Sequence, residues 1–519
     1  MRFVGLLVLL GACEDAGDSV APDTALDPLL PVDAPAITLT AEWLQEDLPQ
    51  GSLAAGAQPG VALGDLDGDG WLDALLAYAG GSLGLRNDGA GGLVADASIT
   101  VDGAAPPAAE GVALGDLDGD GDLDAVFARW GAEDLVLLND GLARFTSTPI
   151  AGSGGATFTP TLADLDGDGD LDLALAAGSA SLSFDDIVHG DATGDPNLVY
   201  RNDGGAFTLV PDALPEVGTI GITFALAAVD ADDDGDIDLY SANDAGPYIT
   251  PNHLLLNDGT GRFTDSGDPG STLTMFSMGV AVGDANQDGL VDLFITNVGP
   301  PRLLVNLGAG EFAEASAAMG ADIPATPESL ISWGTAFVDL DADLDQDLVV
   351  AFGFGGDQQK LDAVDPAYTQ SEAQPDQVLL SNGAAHYERA DIGFADPGRT
   401  RAVAVGDLDR DGRPDLVTAG KHFLRQWKTS GGADAGITLR LHGSDGNTAG
   451  IGAKVEVEVL GRVATTWALP GTTGSSSAPE WYLGLHGEAS ADRLRVVWPD
   501  VTESVLDEVP AGPLDVWQP

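Results

Sequence analysis

A nine-residue acidic turn that returns seven times constrains this chain more than any other feature. It reads DLDGDGWLD at 65–73, DLDGDGDLD at 116–124 and again at 164–172, and DADDDGDID at 230–238. The later copies are DANQDGLVD at 284–292, DLDADLDQD at 339–347 and DLDRDGRPD at 407–415. A short apolar run such as GVALG precedes each copy, and another such as DLFITN follows it. Then comes LLLNDGTGRFTD (254–265) or a relative, whose Asn-Asp-Gly is a tight-hairpin signal between two short strands. One unit is therefore strand, acidic turn, strand, loop, strand, Asn-Gly turn, strand, with a period of about 56 residues. Four antiparallel strands repeated seven times describe β-propeller blades, so an all-β, seven-bladed propeller is expected. A linear β-solenoid competes, but its periods are usually shorter. The seventh unit has no evident fourth strand downstream. AITLTAEWL (36–44) is expected to supply it, closing the ring with strands from both chain ends.

Oxygen-bearing side chains stand at positions one, three, five and nine of every turn. They are Asp65, Asp67, Asp69 and Asp73; Asp116, Asp118, Asp120 and Asp124; Asp164, Asp166, Asp168 and Asp172; and Asp230, Asp232, Asp234 and Asp238. The last three copies supply Asp284, Asn286, Asp288 and Asp292; Asp339, Asp341, Asp343 and Asp347; and Asp407, Asp409, Asp411 and Asp415. Hard oxygen ligands in that number, with the backbone carbonyl of position seven, suit Ca²⁺ better than Mg²⁺, which holds on to its waters. Two unit charges 4 Å apart repel by about 4 kcal/mol at an effective dielectric of 20, so an empty turn must splay, take protons or capture a cation. A solvated polar turn would not need this spacing seven times. Six or seven Ca²⁺ per chain are expected. Asn286 keeps an oxygen but loses a charge. Leu344 stands where the other copies have the turn glycine, at a left-handed cost of about 1–2 kcal/mol, so the sixth site is expected to be the weakest.

An EF-hand would need an acidic twelfth ligand and flanking helices, but that position is Leu76 in the first copy and the flanks are strand-like. The pattern instead resembles the FG-GAP and VCBS-type repeats of integrin α-subunit propellers. SMGVAVGDANQDGLVDLFITN (277–297) and SWGTAFVDLDADLDQDLVVA (332–351) resemble the cartilage acidic protein family and its bacterial relatives, over about three quarters of the chain. That resemblance implies a Ca²⁺-binding propeller. After residue 430 a different β pattern begins. GIGAKVEV (450–457), YLGLH (482–486) and VVWPD (496–500) resemble the UnbV/ASPIC-type domain that follows the propeller in that family, although GNTAG replaces its usual basic loop. A small β-sandwich capping the propeller is expected there.

The chain begins MRFVGLLVLLGAC, a single Arg, an apolar run of signal-peptide length and then small residues before the only cysteine, Cys13. LGAC resembles the lipobox of bacterial lipoprotein signals, which implies acylation of Cys13. The expected organisation is a signal peptide at 1–12, an acidic Pro/Ala-rich tether at 13–35, the propeller at 36–430 and the C-terminal β domain at 431–519. The protein is accordingly expected in the bacterial cell envelope, exported and held to the membrane only through its lipid. With 83 acidic residues against 21 basic ones, the net charge of −62 argues against nucleic acid or an anionic membrane surface as partner. The six histidines form no i, i+4 pair, and GGSLG (80–84) lacks the helix that a nucleophile elbow requires. No catalytic set emerges. A calcium-stabilised, surface-anchored binding or adhesion module, monomeric and facing an extracellular protein or glycan, is the expected function. A polysaccharide- or lipid-processing enzyme on the same scaffold is the alternative, and a deep central pocket would favour it. Alternation of turns places the aspartate loops on one face of the ring and the long insertions on the other. Tyr248, His253, Lys360 and Tyr368 are the candidate partner contacts on that second face.

Overall fold

The computed structural model describes residues 37–45, 59–179, 194–219, 221–326, 331–353, 374–383, 385–394, 399–420, 423–432, 436–444, 446–469, 471–472 and 474–519. Among them there is no α-helix, and a single 3-10 turn occurs at Glu216–Gly218. Cys13, Lys360 and Tyr368 lie outside the described residues.

The first two strands of each repeat are buried on both faces, so they read as unbroken apolar runs rather than as an alternation. The fourth strands are half exposed and alternate: in Arg144–Pro149, Phe145 is buried between exposed neighbours. The repeats form seven antiparallel sheets among the described residues. Their first strands are Gly60–Gly64, Gly111–Gly115, Thr157–Ala163, Ile222–Val229, Ser277–Gly283, Ser332–Val338 and Thr400–Gly406. These pack side by side in chain order, and Gly60–Gly64 also packs against Thr400–Gly406, so the series closes into a propeller-like ring. The last sheet borrows its outer strand from the other end of the chain. Thr38–Gln45 runs antiparallel to Leu424–Ser430, from Thr38 opposite Ser430 to Trp43 opposite Arg425. The strand expected from AITLTAEWL is therefore present.

Neighbouring sheets are joined by the asparagines of the Asn-Asp-Gly turns. Each sends its side-chain amide to the carbonyl of position two in the preceding acidic turn: Asn139 to Leu66, Asn202 to Leu117, Asn257 to Leu165 and Asn306 to Ala231, all at 2.8 Å. Asn87 reaches the Leu408 carbonyl at 2.9 Å and so repeats the link across the ring closure. Buried carbonyls need such partners, and here the partner always belongs to the next repeat.

The C-terminal region builds two further sheets that face each other. Trp481–Leu483, Ile437–His442 and Gly512–Trp517 form one; Arg462–Trp467, Lys454–Val459, Ser490–Val497 and Glu503–Pro510 form the other. Leu439, Val455, Val457, Leu494, Val496 and Trp498 make their common core. This sandwich sits on the acidic-turn face of the ring. Thr448 donates to Asp116, the Gly484 N–H donates to Asp339 at 2.9 Å, and the Asp407 N–H donates to the Tyr482 hydroxyl at 2.6 Å. Lys454 faces Asp233, and Arg462 pairs with Asp345 at 2.8 Å.

From the sandwich a segment around residues 469–478 enters the middle of the ring. Ser475–Ser476 extends the first sheet beside Gly60–Gly64, with Ala62 opposite Ser476. The Val112 N–H donates to the Gly474 carbonyl, the Gly474 N–H to Thr159 Oγ1, and the Ala478 N–H to the Val405 carbonyl. Gly471–Thr472 touches the first strands of the fourth to seventh sheets. This part of the C-terminal region lines the interior of the ring. The approach is close enough that a Cβ on Gly60 would lie 1.8 Å from the Gly474 carbonyl oxygen.

Candidate metal centres

Each acidic turn is wound by its own hydrogen bonds. In the second copy both carboxylate oxygens of Asp116 accept loop N–H groups, from Gly119 at 2.8 Å and Gly121 at 2.9 Å. Asp120 accepts from Asp122, and Asp124 bridges the N–H groups of Leu117 and Asn139 at 2.9 and 2.7 Å. The same pattern recurs down the chain. Position nine accepts from the first residue of the Asn-Gly turn in every copy: Asn87, Asn139, Asn202, Asn257, Asn306, Ser381 and Thr429. Thus position nine is held by the third strand of its own sheet, and the same turn residue, where it is Asn, grips the preceding repeat. The sequence reading took these asparagines only as hairpin formers. Their recurrence at the same place after the acidic turn in the first five repeats was the available signal.

The winding leaves ligand oxygens gathered together. Oxygens of Asp65, Asp67 and Asp73 lie within 4.8 Å of one another, as do those of Asp116, Asp118 and Asp124, of Asp164, Asp166 and Asp172, and of Asp339, Asp341 and Asp347. In the fourth copy the set is Asp230, Asp232 and Asp234. Positions one, three and nine therefore converge in at least four copies, and in the fourth position five gathers with positions one and three. In the fifth, Asn286 donates its amide to Asp288 at 2.9 Å.

Two observations test whether a cation fits. One oxygen each of Asp73, Asp166, Asp232, Asp341 and Asp409 is buried with no hydrogen-bond partner. Such orphaned carboxylate oxygens are costly unless something positive faces them. Burial also pushes the position-nine carboxyls upward, to about 7 at Asp73, Asp124 and Asp172 and to about 8 at Asp238, Asp292 and Asp415. Desolvation is the largest cause in each, and the neighbouring aspartates add to it. Without a cation, burial disfavours the ionised form of these position-nine carboxyls. The donor set, all oxygen and mostly anionic, is that of a hard divalent ion such as Ca²⁺.

Leu344 adopts the left-handed conformation foreseen for it, with φ of +79°, and its N–H still donates to Asp339 at 3.0 Å. Its side chain is buried in the core of the C-terminal sandwich.

On the opposite face the candidate contacts separate. Tyr248 is 40% exposed and leans on Phe276. His253 is buried at 7%, a correction to its role as a partner contact. It lies on a strand of the fourth sheet, with Thr250 Oγ1 3.2 Å from Nε2 and Asp265 3.4 Å from Nδ1. That hydroxyl–imidazole–carboxylate line has the order of a nucleophile triad, but Thr250 is itself only 4% exposed and offers a substrate no approach. The inserted segment enters the ring from the acidic side and leaves cavities beside it, one lined by Leu114, Leu162, Leu226 and Ser476 and another by Val282, Gln346, Trp467 and Tyr482. At the other mouth Phe158 stacks on Phe224, Phe224 meets Trp333 edge-on, and the Arg401 guanidinium lies 3.4 Å over Trp333.

Ring, sandwich and wound acidic turns define an all-β repeat protein with candidate cation sites among its acidic turns. The chain carries FG-GAP-like repeats, matched over residues 65–127, 116–175, 230–295 and 284–350, followed by an ASPIC and UnbV domain over 443–514. A comparison with curated proteins finds no match. Among solved structures it resembles an Agrocybe aegerita lectin that recognises non-reducing terminal N-acetylglucosamine, at 18% identity over 74% of this chain and 88% of the lectin, TM-score 0.40. It also resembles BBS1N in complex with ARL6DN, at 11% identity over 74% and 96%, TM-score 0.43. The V. cholerae biofilm matrix protein Bap1 aligns at 12% identity over 91% of this chain and 62% of its own, TM-score 0.31.

Proposed function

We propose that this protein is a binding module of the cell surface, built on a seven-bladed propeller in which Ca²⁺ is structural, lipid-anchored at Cys13, and recognising an extracellular protein or glycan through the face opposite the acidic turns. The observation that carries this reading is the narrowed centre of the ring. A catalytic site on such a scaffold needs a concave, solvent-reachable pocket, and the channel that would provide one is narrowed by the inserted segment at Gly471–Thr472 and Ser475–Ser476 and by the aromatic cluster of Phe158, Phe224 and Trp333. The C-terminal sandwich contacts the acidic face, which leaves the insertion face for recognition. Long loops on a rigid scaffold are where recognition usually resides.

A glycan and extracellular-protein binding screen of the purified chain, run with Ca²⁺ and with chelator, tests this reading. Saturable binding that is lost on chelation together with a lower melting temperature supports a structural ion and a binding role. Turnover of a polysaccharide or lipid substrate, with no retained ligand, would overturn it. Anchoring is tested separately: labelled palmitate should enter the protein in a bacterial host and be absent from Cys13→Ser.

A further inference from the structure

The seven acidic turns differ in what stands beside them. The residue before the Asn-Gly turn, on the third strand, contacts position three of its own repeat in the first and seventh repeats. In the second, fourth, fifth and sixth repeats it is Leu138, Leu256, Val305 and Leu380. In the first it is Arg86, whose guanidinium contacts the Asp67 carboxylate directly and lies 4.0 Å from Asp73, whose facing oxygen is the one left without a hydrogen-bond partner. Its Nε is tied at 2.8 Å to Asp96, two residues beyond the register partner of Arg86 on the fourth strand. Asp96 is fixed in turn by the backbone N–H and hydroxyl of Ser98 at 2.8 and 2.7 Å. The two other cations at this position behave differently. Arg201 turns to exposed Asp203, and Lys428 reaches one oxygen of Asp409 at 3.5 Å.

We infer that the first acidic turn, Asp65 to Asp73, is neutralised by the chain's own Arg86 and does not take a divalent ion, while the turns with an apolar residue at that position do. This rests on the calcium reading above and corrects its count. A cation pinned within reach of two of the ligand carboxylates occupies the charge that a divalent ion would need, and the Asp96 tether keeps it there. An arginine is suited to this because its planar fork bonds one carboxylate while its charge faces another.

The test is the number of Ca²⁺ ions retained per chain, by elemental analysis after equilibration in Ca²⁺ buffer, in the wild type and two variants. Arg86→Leu, which copies the residue of the second and fourth repeats, should retain one ion more than the wild type. The reciprocal double variant Leu138→Arg with Thr148→Asp places the same pair at the equivalent register of the second repeat and should retain one ion fewer. It remains decisive if Arg86→Leu does not fold. Equal counts in the wild type and the variants would overturn the inference while leaving the calcium reading intact. No ion in any of the three would instead overturn the calcium reading itself.

Discussion

At position six of the acidic turn, six repeats have glycine and the sixth repeat has Leu344, held at a positive φ and buried in the C-terminal sandwich. The left-handed backbone costs a leucine about 1–2 kcal/mol. Burying its side chain returns about 1.5–3 kcal/mol, so burial outweighs strain and the exception is explained by a contact outside the repeat. Leu344→Ala keeps the strain and loses the burial, and should destabilise by about 2–4 kcal/mol in denaturant unfolding. Leu344→Gly relieves the strain and should cost less; the opposite order would mean that the side chain is not an anchor. The buried aspartates set a pH dependence with an unusual sign. Their folded values are raised above the ordinary 3.8, to about 7 at Asp73 and Asp124 and about 8 at Asp238 and Asp292. Their contribution to stability is therefore full below about pH 4 and is lost as pH rises through about 7 to 8. The chelated chain should show a melting temperature that falls between about pH 5 and 8, whereas in Ca²⁺ the bound ion holds the same carboxylates ionised and the fall should disappear. A metal-free melting temperature that rises over that interval would contradict the burial assigned to these groups.

Among the elements, two carry the integrity of the ring. Thr38–Gln45 is the outer strand of the last sheet and the point where the two chain ends meet. Deleting residues 1–45 exposes the edge of Leu424–Ser430, an unpaired row of N–H and C=O groups. The truncated protein should melt markedly lower and associate on concentration, read by calorimetry and light scattering; an unchanged transition would show that the closing strand is dispensable. The other element is the inserted segment. Its backbone meets that of Gly60 so closely that no side chain fits between them. Gly60→Ala should push Gly474 away, loosen the segment and accelerate proteolysis within 469–478, with the acidic turns left wound. The glycine of GVALG was legible as part of a repeating flank. Its reason was not, because the atom it makes room for is 414 residues away along the chain.

For the whole molecule, the C-terminal sandwich and the insertion loops divide the ring between them. One contacts the acidic turns, and among the described residues the connection at 243–252 lies at the other face. Deleting residues 357–374, which contain Lys360, should abolish binding of whichever partner the screen yields and leave the calcium content and melting temperature unchanged. Binding that survives the deletion but fails when acidic-turn aspartates are replaced would move recognition to the metal face.

The repeats, their four-strand order, the acidic turns as clusters of carboxylates and the closing strand at 36–44 were readable from the sequence, because each rests on local periodicity or on a turn that one repeat contains whole. That positions one, three and nine gather in four named copies, and position five with one and three in the fourth copy, was not. Asp116 to Asp124 winds on itself, and nothing distant is needed to recognise it. What the tertiary structure decided are the contacts between units that no period records. The grip of Asn257 on the preceding repeat, the burial of His253, the seat of Leu344 and the segment threaded through the ring each join residues far apart in the chain. Two surfaces must meet before any of these contacts has a physical cause, and the distance between their residues in sequence is set by topology.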